Sequence, residues 1–109
     1  MRALTVAAFI SLGLPALPPL SYAAEAGKTV YATRCQGCHG ADGKGVAAMA
    51  KALQAAIPDL TSKEVRNKPD KELLAVISNG KGKMPPTAGV SEKELKEVLS
   101  YVKSLSRGK

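Results

Sequence analysis

Residues Ala32 to Gly45 read ATRCQGCHGADGKG, and this stretch holds both cysteines and the single histidine of the 109-residue chain. Two thiols two residues apart, with an imidazole directly after, admit three chemistries: a redox disulfide, part of a zinc site, or an attachment point for haem. A redox Cys-x-x-Cys belongs at the start of a helix that follows a strand. Here the cysteines follow a helical pattern and precede a run of glycines. A structural zinc ion needs four ligands, and the chain has no third Cys and no second His. A plain disulfide across so short a loop gains little and leaves His39 without a role. Haem attachment uses all three residues. Cys35 and Cys38 add as thioethers across the two vinyl groups, and His39 carries an imidazole nitrogen to the iron.

The N-terminus has its own pattern. Met1 and Arg2 are followed by the apolar ALTVAAFISLGLPAL and then by SYAA, the three parts of a secretory signal peptide. Ser21 and Ala23 meet the small-residue requirement at −3 and −1, which puts cleavage after Ala23. Residues 1–23 are therefore expected to be leader, and residues 24–109 the exported domain, in the periplasm. Pro15, Pro18 and Pro19 cut the apolar run below the ~20 residues of a spanning helix. After cleavage only Tyr31 and Tyr101 are aromatic, so the domain has little bulky material for a core of its own. A buried porphyrin supplies it. The formal charge of the whole chain is +7, which suits an acidic protein partner or an anionic membrane face. Nucleic acid is disfavoured: no motif for it is present, and two tyrosines make no stacking platform.

Helical periodicity runs from Glu25 to Gln36, with Val30 and Tyr31 facing inward. Gly27 inside it costs up to ~1 kcal/mol relative to Ala and points to close approach by another helix. Gly37, Gly40, Gly43 and Gly45 suggest a tight loop. Val46, Met49, Ala50 and Leu53 share one face of a short helix that Pro58 is expected to end. The segment after Pro58 reads as a loop with one helical turn. Asp70 is expected to cap a helix that buries Leu73, Leu74 and Ile77 and stops at Asn79-Gly80. The stretch GKGKMPPTAG cannot be regular structure. Ser91 and Glu94 form a capping box, Val90 and Leu95 occupy the staple positions, and Leu95, Val98, Leu99, Val102 and Leu105 make an apolar stripe down to Arg107. No stretch alternates with period two. The expected class is all-α.

A haem iron held by His39 has a second axial position. With one histidine in the chain, a second imidazole from the same chain is excluded. A methionine, a lysine or an open position remain. Met49 lies on an apolar helix stripe close to His39 and reads as a core residue. Met84 lies far from His39 in sequence, in a glycine-rich loop stiffened by Pro85 and Pro86, where a thioether can be held against iron.

These residues together resemble the small monohaem class I cytochromes c, over nearly all of Glu25 to Leu105: CQGCHGADGKG near the start, NGKGKMPP some forty residues on, and VLSYVKSL in the last helix. The resemblance implies three to five helices around one covalent haem c, with His39 and Met84 as axial ligands. It implies that Gly27 and Tyr31 pack against Val98, Tyr101 and Val102 where the first and last helices cross. It also implies that the Pro58 carbonyl accepts a hydrogen bond from the second nitrogen of His39. The expected function is one-electron transfer between periplasmic or membrane redox proteins, with no catalysis and no small-molecule substrate. Lys28, Lys44, Lys81 and Lys83 are the candidates for docking an acidic redox partner, and a monomer is the default. Two alternatives stay open: a permanent electron-transfer subunit of a dehydrogenase or reductase, and a five-coordinate haem enzyme or gas sensor.

Overall fold

The computed structural model describes residues 3–13 and 20–106. Met1, Arg2, the three leader prolines and Arg107 lie outside the described residues. Residues 3–13 have no regular structure, and Leu4, Val6, Phe9, Ile10 and Leu12 are exposed.

Six helices follow: α1 (Leu20–Arg34), α2 (Gln36–His39), α3 (Ala47–Leu53), α4 (Lys63–Asn67), α5 (Asp70–Asn79) and α6 (Glu92–Ser104). The class is all-α, as expected, and no strand occurs among the described residues. The number exceeds the expected three to five because two short segments are helical. Gly37 belongs to α2 rather than to a loop, since the carbonyl of Cys35 accepts from the N–H of His39 (3.0 Å) and that of Gln36 from Gly40 (2.8 Å). Five residues after Ser62 form α4, and the Ser62 hydroxyl accepts from the Val65 N–H at 3.4 Å. Among the described residues no helix is long and apolar enough to cross a membrane.

The core sits where α1 crosses α6. Tyr31, Val98 and Val102 form its buried centre, with Val30, Leu60, Ile77, Tyr101 and Leu105 packed against it. Gly27 makes this crossing possible. A Cβ there would overlap the backbone carbonyl of Glu97 and lie 2.8 Å from the Val98 Cα. The rings of Tyr31 and Tyr101 meet at 5.0 Å between centroids and 56° between planes, within the tilted geometry aromatic pairs favour. The start of α6 is fixed by the capping box: the Glu94 N–H donates to the Ser91 hydroxyl (3.1 Å) and the Ser91 N–H to the Glu94 carboxylate (3.3 Å).

Two helix boundaries are set by other groups than the sequence suggests. Pro58 does not end α3. The helix closes at Leu53, where Gln54 takes a left-handed conformation (φ 52°) and the Ala55 N–H returns to the Ala50 carbonyl at 3.1 Å. Asp70 does not cap α5 either. Pro69 holds that position, and the Asp70 carboxylate pairs with the Lys103 ammonium on α6. None of α2, α3, α4 or α5 has a buried residue, although Val46, Met49, Leu53, Ile57, Val65, Leu73, Leu74 and Ile77 are all half-buried. The chain's own packing covers the α1–α6 crossing and leaves the middle helices with apolar faces only partly covered.

Candidate functional site

The break between α1 and α2 brings Cys35, Cys38 and His39 onto one turn, because the Cys35 carbonyl accepts from both Cys38 (3.2 Å) and His39 (3.0 Å). All three are half-buried and both thiols are free. Beyond His39 the chain folds straight back. The Gly45 N–H donates to the His39 carbonyl at 2.7 Å, and the Val46 N–H to the Cys38 carbonyl at 2.9 Å. Three left-handed residues make this reversal, Gly40 (φ 80°), Gly43 (φ 79°) and Gly45 (φ 93°), a conformation that glycine adopts without steric cost. The motif is pinned on its other side by Tyr31, whose hydroxyl donates to the Gly40 carbonyl at 2.5 Å. Burial, with Cys35, Tyr101 and Asp42 nearby, pushes the Tyr31 phenol up to about 12, so it stays a hydrogen donor at all physiological pH.

Electrostatics favour ligation by His39. Burial lowers its pKa, which keeps the imidazole neutral with a lone pair to offer. Its Nδ1 is buried with no hydrogen-bond partner, whereas buried polar groups in folded proteins are ordinarily paired. The bond from His39 to the Pro58 carbonyl is thus not formed in this structure. Pro58 is exposed, but its neighbours are fastened to the loop behind His39. The Leu60 N–H donates to the Gly43 carbonyl at 2.8 Å, and Ile57 lies where a Cβ on Gly45 would meet it at 3.4 Å. Burial raises the Cys35 thiol, partly offset by the Arg34 charge beside it.

Met84 and Met49 are both half-buried, in different settings. Met49 lies in α3. Met84 closes a four-residue turn in which the Lys81 N–H donates to the Met84 carbonyl (3.0 Å) and the Met84 N–H to the Lys81 carbonyl (2.9 Å). The loop then docks on α5 through the Thr87 N–H and the Ile77 carbonyl (3.1 Å). The Arg34 guanidinium donates to the Ala88 carbonyl, joining this loop to the residue before Cys35. The sequence carried no signal for Arg34, a lone cation beside the motif. Lys28, Lys44, Lys81 and Lys83 are all exposed.

These residues fit a covalently held haem. Two free thiols and a neutral imidazole with an orphaned buried nitrogen share one turn, beside helices whose apolar faces the protein leaves partly uncovered. Among the described residues, no group of three or more His, Cys, Asp or Glu side chains is placed to hold a bare metal ion. Residues 22–102 match the family described as cytochrome c oxidase, cbb3-type, subunit III. No curated protein matches the chain.

Proposed function

The chain belongs to this cytochrome c family, and on that premise we propose that it is a one-electron carrier whose single haem is ligated by His39 and Met84. Membership brings with it a covalently bound c-type haem and haem-based electron transfer; cytochrome c domains serve as carriers or as subunits of larger complexes. The haem supplies an iron that gains and loses one electron, at a potential that a methionine ligand raises. Cys35 and Cys38 would hold it as thioethers, and His39 on the α2 turn and Met84 in its proline-stiffened loop would ligate its iron. With His39 and Met84 both serving as iron ligands, no coordination site would be left open to a substrate, as suits a carrier of the small monohaem class I kind rather than an enzyme. The resemblance also makes the Pro58 carbonyl the expected acceptor for the second nitrogen of His39, a bond that is not formed in this structure.

The observation that carries this reading is the gathering of Cys35, Cys38 and the neutral, orphaned His39 on one turn. Residues 24–109 form the exported, periplasmic domain after cleavage at Ala23. Residues 3–13, irregular and exposed, support a leader there, whereas Leu20–Ala23 form the first turn of α1. A second reading, a resident subunit of a larger redox complex, is favoured by the family's description as an oxidase subunit.

Lys81 and Lys83 directly precede Met84, Lys44 lies in the glycine loop and Lys28 on α1, all exposed. They dock an acidic redox partner. Oxidation of the ferrous protein by membranes of its source cells should slow several-fold as ionic strength rises from ~10 to ~150 mM, since the Debye length shortens from about 30 to about 8 Å. A rate indifferent to salt would contradict docking through these lysines. A cytochrome that elutes with a large complex in size exclusion at low and high salt alike would favour the resident subunit.

A further inference from the structure

We propose that Arg34 is a positioning residue that holds the Met84 loop against the segment carrying Cys35. The inference rests on Met84 being an iron ligand and adds how that ligand is kept in place.

The loop between α5 and α6 has internal fastenings that give it shape. These are the paired backbone bonds of Lys81 and Met84, the Thr87 N–H on the Ile77 carbonyl, and Gly80 (φ 76°), where a Cβ would come within 2.9 Å of the Pro85–Pro86 backbone. All of them tie the loop to itself or to α5. That helix packs on α6 and has no buried residue. The Arg34–Ala88 bond is different in kind, spanning 54 positions of sequence. Among the described residues it is the one side-chain hydrogen bond from this loop to α1.

Its two ends matter. Arg34 is adjacent to Cys35, at the last residue of α1. Ala88 follows Met84 by four residues across Pro85 and Pro86, whose fixed φ angles make this stretch stiff. Holding the Ala88 carbonyl therefore restrains Met84, and releasing it frees the loop to leave together with α5. A guanidinium suits the task because it presents several donors in a planar fork.

Imidazole competes with Met84 for iron, so its affinity for the ferric holoprotein reports the fraction of time the loop leaves that position open. Arg34→Gln should bind imidazole about two- to fivefold more tightly than wild type, the effect of losing one charged hydrogen bond at an exposed position. Helix content should not change. Arg34→Lys retains a charge and a single-point donor and should fall between the two, and it serves alone if the Gln variant fails to load haem. Met84→Ala is titrated in parallel. If Met84→Ala binds imidazole more tightly while both Arg34 variants match wild type, the positioning role is wrong and the ligand stands. If Met84→Ala itself matches wild type, the ligand assignment fails, and the positioning role with it.

Discussion

Replacing both thiols, Cys35→Ala with Cys38→Ala, should leave a chain that is largely unfolded when purified free of haem. The expectation follows from how little the polypeptide buries by itself. Its buried hydrophobic side chains among the described residues are Tyr31, Val98, Leu99 and Val102, all on α1 or α6, and Tyr31, Val98 and Val102 form the cluster at their crossing. The four middle helices contribute none. They are short, from 4 to 10 residues, and isolated helices of that length are unstable in water. A macrocycle burying several hundred Å² of apolar surface at ~25 cal/mol per Å² contributes on the order of 10 kcal/mol gross. That is as large as the net stability of a typical domain. Far-ultraviolet circular dichroism of the variant should show little helix and no cooperative melt. A native-like helical spectrum with a sharp transition would mean that the polypeptide core is sufficient.

The second large effect is expected at Gly27, in the holoprotein. Exchanging Gly for Ala in a helix interior ordinarily stabilises by up to ~1 kcal/mol. Here the added methyl would run into the backbone of Glu97 and Val98, which cannot turn aside as a flexible side chain does. Relief requires the two helices to separate, and that loosens Tyr31, Val98 and Val102 together. Overpacking of a core costs about 1–3 kcal/mol and occasionally more, and a clash with backbone at the central crossing lies at the upper end. Gly27→Ala should therefore lower the melting temperature by roughly 10–20 °C, at ~4–8 °C per kcal/mol for a domain of this size. Gly27→Val should lower it further. An unchanged or higher melting temperature for Gly27→Ala would show that the helices do not approach as closely as described.

Much of this architecture was legible in the sequence because it depends on local chemistry. The capping box at Ser91 and Glu94 forms between residues three apart. Gly27 announced a close approach because a glycine inside a helical pattern has few other reasons to be there. The attachment turn needs only Cys-x-x-Cys-His and the glycines that reverse the chain after it. What stayed hidden depends on partners far away or on backbone alone. Asp70 looks like a cap until Lys103, 33 residues on, takes its carboxylate. Gln54 ends α3 in a left-handed conformation that nothing in its residue type signals, so Pro58 attracted the assignment. Arg34 reaches across to Ala88, and Tyr31 turns its hydroxyl to Gly40. Both contacts exist only in the folded chain and are invisible to spacing rules. The Pro58 carbonyl came from family resemblance alone, and the structure leaves His39 Nδ1 without it.

The central claim is that His39 and Met84 together fill the axial positions and make this cytochrome a carrier. The ferric holoprotein should show the weak near-infrared charge-transfer band of sulfur ligation to haem iron, measured side by side in wild type, Met84→Ala and Met49→Ala. The band should vanish in Met84→Ala and survive in Met49→Ala, where a half-buried helix residue is lost without touching the iron. A band that persists in Met84→Ala, or that disappears in Met49→Ala instead, would contradict the claim.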